Sequence, residues 1–289
     1  MRETRPPSPT VIVGIDGSRN GITAALWAVS EAVERDLPLR LVYAIEPPDG
    51  PMTPESRARA LAVAETAIRM AFMAVESTNT PVKIEVEILQ GRAKDVLLEA
   101  GRGAALICVG AIGFKTANAG GQVGSTAAAL ATWARCPVAI VRNHDPSPRM
   151  PRPIVAEVDR SPDSDVVLRR AVDEAILRGA PLIVVSVWQS TVTDTHDVEA
   201  VAEQNHLITV DLNRRLAQTM RRHAELAVVP TVVHGHLLDY LTREARAAQL
   251  VVVGRRRTHG VAEILGAGGF AALHEIECSV LVCDPPNPL

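Results

Sequence analysis

Aromatic residues are scarce: three Trp, two Tyr and three Phe make up 3% of 289 residues. So few rings offer no platform on which the bases of a single strand could stack. An excess of one charge is also missing, because 30 Lys and Arg face 33 Asp and Glu for a net charge of −3. A chain with no basic bias is not built to track duplex phosphates, so no nucleic-acid partner is expected. Long apolar runs are absent. The longest, Leu182 to Trp188, is broken by Ser186 and falls far short of the ~20 residues that span a bilayer. No membrane contact is expected. The opening Met1-Arg2-Glu3-Thr4-Arg5-Pro6-Pro7 has no apolar core of the kind a secretory signal needs. Cysteine is limited to positions 108, 136, 278 and 283, with no CxxC pair and with three of the four in or beside apolar runs. These read as reduced thiols, three of them core-like, in a cytoplasmic protein. What is present is an apolar fraction of 47% against 22% charged. That is enough for two ordinary domains with a core each, and it excludes disorder.

The chain is a tandem repeat. Val11-Ile-Val-Gly-Ile-Asp-Gly-Ser18 matches Ile154-Val-Ala-Glu-Val-Asp-Arg-Ser161, which pairs Asp16 with Asp159 at an offset of 143. The same offset pairs Ser18 with Ser161, Glu31 with Glu174, Arg35 with Arg178 and Pro38 with Pro181. Gly91 matches Gly235, and Ala105-Leu-Ile-Cys-Val-Gly110 matches Gln249-Leu-Val-Val-Val-Gly254, at an offset of 144. Cys136-Pro-Val-Ala-Ile-Val141 matches Cys278-Ser-Val-Leu-Val-Cys283 at 142. One period held this long marks a duplication. The Pro-rich stretch 142–153 reads as a linker and residues 1–9 as a loose tail. The expected domains are therefore 1–145 and 151–286.

Within each repeat, strands alternate with helices. Val11–Ile15, Leu39–Ile45 and the alternating Val82, Ile84, Val86 and Ile88 read as strands, as do Ala105–Val109 and Val138–Val141. Between them lie three helical faces. The first is Ile22, Ala25, Leu26, Val29, Ala32 and Val33, and the second is Leu61, Ala64, Ile68, Ala71, Phe72 and Val75. The third is a short helix around Val96, Leu97 and Ala100. A last helix is expected around Thr126–Ala134. In the second repeat, Leu168, Ala171, Val172, Ala175 and Ile176 mark the first helical face. The pattern predicts an α/β fold of two doubly wound domains, each with a five-stranded parallel sheet and right-handed crossovers.

Ligands of such sheets bind beyond the carboxyl ends of the strands, where strand order reverses. Three segments of the first repeat meet that description: Gly14-Ile-Asp-Gly-Ser18, the strand end near Ala44, and the loop from Gly110 to Ser125. The last carries five glycines in sixteen residues, which lets backbone approach a ligand closely. It opens a helix whose free N–H groups and dipole attract an anion. It is not a P-loop, because no Lys-Ser/Thr pair follows the last glycine. It is not the Rossmann fingerprint either, because it follows the fourth strand rather than the first.

Val13-Gly-Ile-Asp-Gly-Ser18, Gly91 with its short helix, Ile107-Cys-Val-Gly110, the glycine loop and Cys136-Pro-Val-Ala-Ile-Val141 together resemble the universal stress protein family, in the tandem two-domain form found in actinobacteria. The resemblance covers the first repeat and, more weakly, the second. It implies an adenine-nucleotide α-hydrolase-like fold and an internal pseudo-dimer joined through Val138–Val141 and Val280–Cys283. It also implies a stress-response regulator that binds ATP, with or without magnesium, and acts through an unidentified protein partner. A homodimer is a further expectation. Carried over by position, Asp16 would contact the nucleoside and Ala44 would line the adenine. Gly14 would allow close approach. Gly110, Ile112, Gly113, Lys115, Thr116, Gly124 and Ser125 would form the phosphate loop. The family spacing has nine residues between the second and third loop glycines, whereas ten separate Gly113 from Gly124 here.

The second repeat departs further. Glu157 replaces Gly14, Arg160 replaces Gly17, Arg257 replaces Gly113 and Ala267 replaces Ser125, so its site is expected to be lost or altered. The run Arg255-Arg-Arg257 reads as a solvated charged surface. His234 and His236 read as surface histidines rather than metal ligands, and Trp27, Trp133 and Trp188 as core or interface aromatics. No catalytic residue is assigned, because Ser125 lacks a nucleophile elbow. Two alternatives to a nucleotide-binding regulator stay open on the sequence: a ligand-free interaction module with vestigial sites, and a slow ATPase.

Overall fold

The computed structural model describes residues 9–48, 50–51, 53–113, 123–142, 151–159, 161, 163–189 and 198–283. The chain divides between residues 144 and 145 into two units.

The first unit runs β1 (Val11–Ile15), α1 (Arg19–Glu34), β2 (Leu39–Ile45), α2 (Pro54–Glu76), β3 (Ile84–Gln90), α3 (Ala93–Ala100), β4 (Leu106–Gly110), α4 (Ser125–Trp133) and β5 (Val138–Val141). Its strands lie in the order β3-β2-β1-β4-β5, all parallel, with Val13 opposite both Leu41 and Cys108. The central strands are near-continuous apolar runs because helices cover both faces. Val11, Ile12, Val13, Leu106, Ile107 and Cys108 are fully buried. The outer strand β3 does not keep the expected alternation: Val86 is exposed, whereas Glu85 and Glu87 are half-buried. Glu85 accepts from Arg40 on β2 at 3.0 Å.

The helices start where the sequence supplies caps. Gly17 turns the chain at φ +79°, a left-handed conformation open to glycine. Ser18 then accepts from the Gly21 N–H at 3.0 Å. Thr53 does the same for Ser56, and Pro54 follows at the first helical position.

The second unit repeats this plan with β6 (Ile154–Glu157), α5 (Ser164–Leu177), β7 (Leu182–Trp188), α6 (Val198–Arg222), β8 (Val228–His234), α7 (Leu237–Arg243), β9 (Leu250–Gly254), α8 (Ala262–Leu265), α9 (Ala267–Glu275) and β10 (Ser279–Cys283). Its order is β8-β7-β6-β9-β10, again parallel. Pro230 is tolerated because β8 is an outer strand with one unpaired side.

Several expectations need correction. The buried face of α1 is Ala24, Ala25, Trp27, Ala28, Val29, Glu31 and Ala32, whereas Val33 is exposed and Ile22 and Leu26 are only half-buried. Small alanines let the helix lie close on the sheet, so its contact face is wider than a stripe of large apolar residues. Ile176, Leu61 and Val86 are likewise exposed. Trp133 is not core, being 72% exposed at the end of α4. The linker is shorter than its composition suggests. Arg152 donates to the carbonyls of Ala247, Ala248 and Ile276 at 2.8–2.9 Å, which ties it to the second unit.

Candidate functional site

In both sheets the strand order reverses between the first and fourth strands of the unit. The first crevice therefore lies over the carboxyl ends of β1 and β4, and the second over those of β6 and β9.

In the first unit, the turn after β1 brings Asp16 to the crevice. Its Oδ1 accepts from the Ser18 N–H at 3.0 Å. Gly21 leaves room for that carboxylate, since a Cβ there would come within 3.0 Å of Oδ1. Ala44 stands at the carboxyl end of β2, one residue beyond the Ile15–Tyr43 pair. On the other bank, β4 ends at Gly110, and Asn20 Nδ2 donates to the Ile112 carbonyl at 3.1 Å. The Gly124 N–H donates to the Ala111 carbonyl at 3.0 Å, which brings the start of α4 back to the end of β4. Gly124 is the N-cap of α4. It supplies no side-chain cap, and no acidic residue lies in the first turn. By contrast α1 and α2 are capped by hydroxyls. Among the described residues no side chain caps the first turn of α4, and the same holds at α9, where Gly266 is the N-cap.

Two glycines have different neighbours from those expected. A Cβ on Gly14 would meet Leu97 at 2.9 Å and Val109 at 3.1 Å, and one on Gly110 would meet Asn20 at 2.7 Å. The protein itself packs close at both positions, α3 at Gly14 and the start of α1 at Gly110, so a side chain at either would collide with the fold. Gly113 follows the end of β4, and Gly124 and Ser125 open α4, while Lys115 and Thr116 fall outside the described residues. Asn20 and Leu97 were missed. Asn20 could have been found, because it aligns with Asp163 at the same offset of 143 that pairs Asp16 with Asp159.

The second crevice is built differently. Glu157 ends β6, and Arg257 lies three residues beyond the end of β9. Arg257 Nε donates to Glu157 Oε2, and Arg257 Nη2 donates to Glu157 Oε1 at 2.7 Å. Arg257 Nη1 donates to Glu263 at 2.6 Å and to the Gly260 carbonyl at 2.8 Å. Arg257 and Glu157 are each only 4% exposed. Burial by itself would lower the Arg257 pKa, but the two carboxylates outweigh it and raise it. The expectation of a solvated arginine run is therefore wrong for Arg257, which is a buried ion-pair partner. Arg256 is also engaged, donating from Nε to Asp163 at 2.8 Å.

Asp159 remains beside this bridge. Its Oδ1 accepts from the Ser161 N–H at 2.8 Å, and its Oδ2 accepts from the N–H and hydroxyl of Thr258, each at 2.8 Å. Burial pulls the carboxyl pKa upward, but the hydrogen bonds from Ser161 and Thr258 win and hold it at about 2. Arg160 lies outside the described residues. His236 approaches Glu263 at 3.4 Å and is more than half exposed. Among the described residues no group of three or more His, Cys, Asp or Glu could hold a metal ion.

Two doubly wound α/β units, the second with its switch point bridged by side chains, define a tandem α/β fold. The sequence model of the "Universal stress protein family" matches residues 8–142 and 150–284. Universal stress protein Rv2028c of Mycobacterium tuberculosis is 46% identical over 284 residues, covering 98% of each chain. Universal stress protein Rv3134c of the same organism is 40% identical over 287 residues, covering 97% of this chain and 98% of that one. A universal stress protein crystal structure from Archaeoglobus fulgidus shares the fold at TM-score 0.69 and 17% identity, covering 95% of this chain and 96% of that one. The chain belongs to the universal stress protein family, with two of its domains in tandem.

Proposed function

We propose that the first unit holds an adenine nucleotide, with ATP the first choice, and that the protein is a cytoplasmic stress-response regulator acting through partner contacts rather than a catalyst. The observation that carries this reading is the start of α4. It is a nine-residue helix with no side-chain cap and no acid in its first turn, returned by the Gly124–Ala111 hydrogen bond to the end of β4. The first-turn amides, which no side chain among the described residues caps, and the helix dipole suit a phosphate tail. Asp16, across the crevice, suits the ribose hydroxyls as an acceptor. Regulation is preferred to catalysis because Ser18, Asn20 and Asp16 each bond to backbone within the fold, which suits holding a ligand more than moving its protons. Four buried free thiols support a reducing compartment. Among the described residues, no helix is long and apolar enough to cross a membrane.

The test is calorimetric titration of the full chain with magnesium ATP and with AMP, beside absorbance and mass of any nucleotide released on denaturation. At a hundredfold excess over Kd, ligand should stabilise the fold by ~2.7 kcal/mol. Gly124→Glu places charge and bulk at the helix entrance and should abolish binding. No heat and no stabilisation at millimolar nucleotide, or unchanged affinity in the variant, refutes the reading. A ligand-free interaction module is the better reading for the second unit alone, because its crevice is bridged.

A further inference from the structure

We propose that the Glu157–Arg257–Glu263 bridge is a built-in occupant of the second crevice, which holds that unit permanently closed to phosphate-bearing ligands and limits the chain to one nucleotide. The placement is specific. Glu157 comes from the end of β6 and Arg257 from just beyond β9. These are the two strands between which the sheet reverses, so the pair joins the two banks of the crevice. The positions equivalent in sequence in the first unit are Gly14 and Gly113. Neither can carry a bridge.

The bridge is chemically saturated. Arg257 uses Nε and Nη2 on Glu157, and Nη1 on both Glu263 and the Gly260 carbonyl. Four of the five guanidinium N–H groups are thus committed, and both Glu157 oxygens are occupied. The group itself carries one positive and two negative charges, so the guanidinium offers a phosphate no net positive charge. Of the neighbouring cations, Arg256 is bound to the fully buried Asp163, and Arg215 donates to the Asp159 carbonyl at 3.2 Å. The entrance is pinned as well: Thr258 is tied to Asp159 by its N–H and by its hydroxyl. An anion entering here would have to break a bidentate buried pair and leave a carboxylate bare. The second unit thus keeps one conformation whatever the nucleotide level, while the first responds to it.

The experiment removes both halves of the pair together, so that neither charge is left alone. Four full-length proteins are titrated with magnesium ATP: wild type, Gly124→Glu, the pair Glu157→Gly with Arg257→Gly, and all three changes combined. Circular dichroism confirms folding. The expected stoichiometries are one, zero, two and one per chain. A combined variant that is folded and binds no ATP overturns the proposal. A wild type that binds none, beside a combined variant that binds one, refutes the reading of the first unit and supports this one. Should the glycine pair fail to fold, Glu157→Ala with Arg257→Ala takes its place. Wild-type protein photolabelled with 8-azido-ATP supplies an independent readout. Label on peptides spanning 154–159 or 250–265 overturns the proposal, and their remaining unlabelled supports it.

Discussion

Replacing Arg257 by methionine tests the energetics of the second crevice directly. The side chains of Arg257 and Glu157 are 2% and 3% exposed, so the variant strands a carboxylate that water reaches poorly. Breaking one side of a buried, hydrogen-bonded pair costs about 3–5 kcal/mol. Glu263 loses a partner too, but its side chain is 17% exposed and keeps its approach to His236 at 3.4 Å, so Glu157 carries most of the cost. In a unit of this size each kcal/mol moves Tm by about 2–4 °C, so the transition of the second unit should fall by roughly 10 °C. Removing both partners tells a different story. Glu157→Leu with Arg257→Met removes both fully buried charges and retains apolar volume, leaving Glu263 only its His236 contact, so it should lose clearly less than Arg257→Met alone, about 1–2 kcal/mol. The double-mutant cycle should then report a coupling of at least about 2 kcal/mol. The two units need not unfold together. The assay is therefore calorimetry paired with hydrogen exchange of peptides from β6 and β9. An Arg257→Met protein within about 1 kcal/mol of wild type would refute the reasoning, as would a double variant whose loss equals the sum of the single losses.

Two further outcomes follow from the described contacts. In Gly110→Ala, the new methyl would come 2.7 Å from the Cβ of Asn20 and 2.8 Å from its carbonyl carbon. Backbone must move, so the first unit should lose about 1–3 kcal/mol in chemical denaturation; an unchanged midpoint would show that α1 does not press on the strand end. For Asp159, the folded pKa of about 2 lies below the ordinary carboxylate value of 3.8. The folded state thus binds fewer protons than the unfolded state, and the stabilisation is complete above the unfolded value and lost as pH falls from about 4 to about 2. Wild type should be more stable than Asp159→Asn at neutral pH, and the difference should shrink over that acid window; a gap independent of pH from 6 to 2 would contradict the assignment.

Much of this architecture is written in local pattern. Runs such as Val11–Ile15 and Leu39–Ile45 read as strands because the strands of a covered parallel sheet are mostly apolar, with Arg40 the exception in β2. Ser18 and Thr53 mark helix starts because their hydroxyls cap orphan amides. Those signals depend on neighbours a few residues away, and the duplication doubles them. The face of α1 was less legible, since alanines at a close helix–sheet contact carry little hydrophobic signal. The roles of Gly14 and Gly110 were not legible at all: what excludes a side chain is Leu97 in one case and Asn20 in the other, and each is distant in sequence.

The sequence by itself determined two α/β repeats, their strand and helix order, the family, and the departure of the second repeat at positions 157 and 257. Only the tertiary structure decided what that departure does. A glutamate and an arginine one hundred residues apart carry no mutual signal in a single chain. Apart they read as a repelling acid and a solvated base. The sheet places β6 beside β9 with Ala156 level with Val252, and burial then makes pairing the only way for either charge to stay.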